Sequence, residues 1–147
     1  MLLNFNEIKE LTVPGMNSGT GMVTARMYMD EQGKVILCSI HTGGSIGLHK
    51  HETSDDINYV LSGNGKAVCD GQEEILSAGT CHICKKGSEH SIVNTGNEDL
   101  VLLTVVAERS FLTHQADKEG GSYGSAEKLC VRNVPDAGTA CGAGTPL

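Results

Sequence analysis

Between residues 22 and 107 the chain is divided by turn signals into apolar, β-branched runs too short for helices, recurring about every ten residues. This recurrence is what most restricts the fold. Met22 to Met29 reads as a strand, Asp30 to Gly33 as a hairpin loop and Lys34 to Ile40 as the return strand. Ile57 to Leu61, Lys66 to Cys69, Glu73 to Leu76, Thr80 to Cys84, His90 to Val93 and Leu100 to Val106 follow. Turn residues separate these runs, and Asp70-Gly71 is a strong hairpin signal. An antiparallel sandwich or barrel is the architecture that such spacing supports. The 19 glycines fit a turn-rich all-β protein better than a helical bundle. Residues 1–21 carry little pattern beyond turns at Pro14-Gly15 and Asn17-Ser18-Gly19. Residues 1–111 are expected to form one barrel, and residues 112–147 an irregular Gly/Ala-rich tail rather than a second domain.

Charge and composition remove several function classes. A net charge of -7 repels phosphate backbones and anionic lipid, and the only adjacent basic pair is Lys85-Lys86. Neither nucleic acid nor a membrane is expected as a partner. The longest apolar run, Leu100 to Ala107, is strand-sized, and no secretory h-region stands near the start. A cytoplasmic protein with its six cysteines reduced is the resulting expectation. No phosphate loop, dinucleotide fingerprint or nucleophile elbow is visible.

His49 and His51 stand two apart, a spacing that puts both imidazoles on one side of a strand. Asp56 follows a short turn, and His90 begins a distant strand. Three imidazoles and one carboxylate suit one borderline divalent ion (Zn, Fe, Ni, Mn, Co or Cu) better than Ca or Mg. Cys81-His82-Ile83-Cys84 looks like a metal box, but in a strand its two thiols point to opposite faces, and small buried hydrophobes are the simpler reading.

Gly43 to Gly63 reads G-x5-H-x-H-x4-D-x6-G and Gly79 to Asn94 reads G-x5-K-x-G-x2-H-x3-N. In this order the two stretches resemble the paired motifs of the cupin superfamily. They depart from the usual pattern at Asp56, where Glu is usual, and at Lys85, where Pro is usual. The resemblance implies a double-stranded β-helix, or jelly-roll barrel, with a metal inside held by His49, His51, Asp56 and His90.

An inward Asp56 would also turn Asn58 and Val60 inward and leave Ile57, Tyr59 and Leu61 outside. Three apolar side chains there call for a cover, either the tail or a second copy in a homodimer. The expected activity is that of a small metalloenzyme, isomerase-like or dioxygenase-like, on a polar ligand such as a sugar acid, keto acid or enediol. His82, Tyr59 and Asn58 are its candidate proton-handling or orienting residues. The alternative is a non-catalytic module that binds or senses a small ligand.

Overall fold

The computed structural model describes residues 1–109. Ten strands form: β1 (Leu11–Pro14), β2 (Met22–Asp30), β3 (Gly33–Ile40), β4 (Ser45–Lys50), β5 (Ser54–Ser62), β6 (Asn64–Cys69), β7 (Gln72–Ser77), β8 (Cys81–Cys84), β9 (Glu89–Asn94) and β10 (Leu100–Glu108). They make two sheets, ordered β1-β2-β3-β10-β5-β8 and β4-β9-β6-β7, with every pairing antiparallel. This is the expected jelly roll. The eight expected strands are all present, and two more form: β1, from the poorly patterned lead-in, at the edge of the larger sheet, and β4, which carries His49. Pro14, which cannot donate to a ladder, ends that edge strand.

Local chemistry sets the hairpins. Asp70 and Gly71 both take positive φ (47° and 80°), the pair of left-handed residues that a tight β6–β7 turn of the right twist needs. Asp30 accepts the backbone N–H of Gln32 at 2.9 Å and so closes the two-residue link from β2 to β3.

The space between the sheets is divided by polarity. Val23, Ile40, Val60, Ala67, Ile92, Leu100 and Leu102 form a buried apolar core at one end. Each of the larger ones contributes about 1.5–3 kcal/mol by leaving water. At the other end several strands turn polar groups inward: Asp56 and Asn58 on β5, His82 on β8, His90 on β9 and Thr104 on β10 are all buried. Alternation along β5 carries both zones, with Asp56, Asn58 and Val60 turned in and Tyr59 and Leu61 exposed. Among the described residues no helix is long and apolar enough to cross a membrane. The tail expected over residues 112–147 lies outside the described residues, so its role as a cover does too.

Candidate metal centre

β4 and β9 run antiparallel with His49 directly opposite His90. Strict alternation from the buried Ile46 would send His49 outward. A register shift between Ile46 and His49 prevents this: Leu48 is the exposed residue and His49 returns to the interior. The irregularity falls at Gly47, where an added Cβ would lie 2.1 Å from the Asn17 carbonyl oxygen. Only glycine lets the 3-10 turn Met16–Ser18 pack so closely on β4. His51 lies just past the end of β4, and its backbone is held by Ser88, whose carbonyl accepts the His51 N–H at 3.0 Å.

The four expected ligand side chains converge. Nε2 of His51 is 3.0 Å from Nε2 of His49 and 3.1 Å from that of His90, and the His49 and His90 nitrogens are 3.2 Å apart. Asp56 Oδ2 lies 3.3 Å from His51 Nε2 and 3.1 Å from His90 Nε2. The shorter side chain of Asp56 therefore reaches the group. Two metal–ligand bonds of about 2.1 Å meeting at 90–109° leave their donor atoms about 3.0–3.4 Å apart, and the observed edges have that length.

Hydrogen bonds behind the rings fix which nitrogens face the centre. His49 Nδ1 lies 2.9 Å from the Gly47 carbonyl, which can only accept, so Nδ1 carries the proton. Glu74 Oε2 is 2.7 Å from His82 Nδ1, and His82 Nε2 is 2.8 Å from His90 Nδ1. With a carboxylate at one end, one arrangement of neutral rings satisfies this chain. His82 Nδ1–H donates to Glu74, and His90 Nδ1–H donates to His82 Nε2. Neutral His49 and His90 thus both turn a lone pair toward the centre, beside the Asp56 carboxylate. Acceptors this close repel unless protons or a cation lie among them. Asp56 Oδ1 is also buried with no hydrogen-bond partner. Both observations fit a divalent ion.

Electrostatics favour the ligating protonation states. Burial pushes the Asp56 carboxyl up, but its close polar neighbours His51, His90 and Asn58 outweigh it and hold the group well below the ordinary carboxylate range. Burial lowers the His49 imidazole; the Gly47 carbonyl pulls the other way, and His90 and His51 nearby lower it further. Cys38 lines the same cavity, but burial and then Asp56 push its thiol up to about 12, which leaves it inert.

The centre opens into a cavity of about 570 Å³, in which His49, His51, Asp56 and His90 line one part. Asn58 also lines it, but it is already engaged: its amide donates to Asp56 Oδ2 at 3.1 Å and its carbonyl accepts from Thr104 at 2.7 Å. His82 is 1% exposed and sits behind His90 rather than on the cavity wall. Tyr59 is 43% exposed on the outer face of β5, so the structure does not bring it to the centre. Strand parity places Tyr59 and Asp56 on opposite faces of β5. Lys85 pairs with Asp55 at 3.9 Å and does not line the cavity. Glu74 is the residue that sequence reasoning missed. Its only signal is parity with Leu76, which places it on the inward side of β7.

The cupin domain model matches residues 36–106. The oxalate-binding protein of Thermotoga maritima is 33% identical over 112 residues, covering 72% of this chain and 93% of that protein. The chain is a cupin. Its small single-domain form is matched by the crystal structure of a predicted oxalate decarboxylase from Thermotoga maritima, with a TM-score of 0.70 and 30% identity over 74% of this chain and 100% of that one. The pectin degradation protein KdgF of Dickeya dadantii is 29% identical over 77 residues, covering 52% of this cupin and 70% of KdgF. The cupin assignment and the convergent His49, His51, Asp56 and His90 together make this a metal-binding cupin.

Proposed function

We propose that this cupin holds one divalent transition metal on His49, His51, Asp56 and His90 and uses it to bind a small carboxylate ligand reversibly. The observation that carries the reading is the meeting of three imidazole nitrogens and an ionised, partly unpartnered carboxylate beside an open cavity. The bound ion supplies a Lewis-acidic centre that takes carboxylate oxygens. The protein's own contribution is to keep His49 and His90 in the ligating tautomer, to keep Asp56 charged and to leave one side of the group accessible. The oxalate-binding relative supports a carboxylate as the ligand.

Binding is favoured over proton-transfer chemistry because the candidate bases are not at the centre. His82 is spent on His90 and Glu74, Tyr59 is outside, and Asn58 is not a base. The open cavity supports one second reading, dioxygenase-like chemistry, which needs free positions on a redox metal rather than a protein base. Elemental analysis and calorimetry with oxalate test both readings. One metal per chain, with oxalate binding that vanishes in the chelated protein and in His51→Ala, is the expected result. Metal-free protein that cannot be reconstituted, or oxalate binding indifferent to metal, overturns the proposal. Stoichiometric iron with oxygen uptake on ligand addition selects the second reading.

We further propose a homodimer in the cytoplasm. Tyr59, Leu61 and Ile83 are 43–46% exposed on neighbouring strands of one sheet face, with Ile57 opposite Ile83. The free thiols of Cys38, Cys69, Cys81 and Cys84 suit a reducing compartment.

A further inference from the structure

The cavity is far larger than a two-carbon diacid requires. Its volume of about 570 Å³ is that of pockets for ligands of drug size, roughly 300–1,000 Å³. The register of the larger sheet shows how the extra space is lined. Asp56 on β5 pairs with Val106 on β10 and Val106 with Lys34 on β3; one inward step along, Asn58 leads through Thr104 and Ile36 to Met27. On β2, Ala25 pairs with Leu11 of β1. At about 4.8 Å per strand, the cavity wall runs some 19 Å from β5 to β1. Along that line its chemistry changes from carboxylate and amide at β5 to Ile36, Met27, Ala25, Val13 and Leu11 at the far side. Of the polar groups beside the centre, Thr104 already donates to Asn58 and Asn58 to Asp56.

This division of polarity discriminates between ligands. Oxalate would leave the apolar part empty. A polyhydroxylated sugar acid would press hydroxyls against side chains that cannot replace their hydrogen bonds to water, which is costly. A molecule with a chelating head and an apolar chain satisfies both zones. Lys34 adds a cation on the same wall, without a hydrogen-bond or ion-pair partner among the described residues. We propose that the ligand is an amphipathic carboxylic acid, such as a 2-oxo or 2-hydroxy acid, whose head lies at the metal centre and whose aliphatic chain lies along Ile36, Met27 and Leu11. This rests on the reading of the centre as a metal-dependent carboxylate site.

Calorimetry on the full chain reconstituted with Ni(II) tests it, using oxalate, galacturonate and the straight-chain 2-oxo acids from pyruvate to 2-oxooctanoate. Affinity is expected to rise about fourfold per methylene along the series. Met27→Ser should flatten that rise. If oxalate binds but the series is flat or weakens with length, or galacturonate binds more tightly than 2-oxooctanoate, this inference is overturned and the carboxylate reading stands. If no carboxylate binds, oxalate included, both fall.

Discussion

His82 Nε2 lies 2.8 Å from His90 Nδ1, and the same His82 ring ends at Glu74 2.7 Å away, where the carboxylate side chain is 48% exposed. A buried residue proposed as a metal ligand is thereby tied through one intermediate ring to a carboxylate at the surface. Carboxylate–histidine chains of this kind hold the ring's orientation and tautomer, and losing one typically costs 10–100-fold in metal affinity. Glu74→Ala and His82→Leu are each expected to weaken Zn(II) binding by about that factor in a competition titration against a chromophoric chelator. Glu74→Gln keeps an acceptor and should lose less. In the metal-free protein, imidazole ¹⁵N shifts should report His90 and His82 both protonated at Nδ1. Wild-type affinity in Glu74→Ala, or an Nε2–H tautomer at His90, would remove the chain from the account of the centre.

The metal-free protein should lose stability as pH falls from about 8 to 5. Its sign follows from His49, whose folded value is lowered from the ordinary imidazole value of 6.5, chiefly by burial. Below the ordinary value the unfolded chain binds a proton that the folded chain refuses, so stability rises with pH across that window. Asp56 behaves differently. Its folded value is depressed, so its contribution is complete above about pH 4, the unfolded value, and is lost only in stronger acid. Thermal melts of chelated protein measure the slope, and His49→Gln should make it shallower between pH 7 and 5. An unchanged slope in the variant would show that His49 is not its source.

The centre was legible in the sequence to the extent that it depends on spacing. His49-x-His51, Asp56 and His90 sit at fixed offsets from turn glycines, and strand parity correctly sent Asn58 and Val60 inward and Leu61 outward. What parity could not show was how His49 comes to face inward, because the register shift after Ile46 depends on the approach of the Met16–Ser18 turn to Gly47. The partner of Glu74 was hidden for a similar reason. The meeting of Glu74 with His82 joins strands of two different sheets, and no periodicity within either strand reports on such a contact. The apolar cavity wall at Leu11 and Val13 comes from a strand only four residues long, below the length at which alternation is convincing.

The outer face of β5 and β8 tests the proposed dimer. Tyr59, Leu61 and Ile83 are apolar, exposed and close together, and a second copy would remove them from water. Leu61→Glu would place a charge in that contact, which is costly to bury unpaired. Sedimentation velocity is expected to show wild-type dimer and variant monomer at micromolar concentration, with the metal content of the variant unchanged. A wild-type monomer would exclude this face as a homodimer contact.

Gly47 gives the sharpest link between the fold and the centre. A methyl group there would sit 2.1 Å from the Asn17 carbonyl oxygen and 2.7 Å from the Gly19 nitrogen, both backbone atoms that cannot rotate away. Gly47→Ala must therefore push the Met16–Ser18 turn off β4 or distort the register shift that turns His49 inward. Overpacking of this kind costs about 1–3 kcal/mol. The distortion falls on the residue whose carbonyl accepts the His49 Nδ1–H, so metal affinity should fall together with melting temperature. Gly43→Ala is the control. Gly43 has φ of 75° but nothing within 4 Å of an added Cβ, so its substitution strains the backbone without touching the turn or His49. Lower stability with normal metal binding is expected there. If Gly47→Ala were destabilised but bound metal normally, the packed turn would be supporting the barrel alone, and the orientation of His49 would have to come from elsewhere.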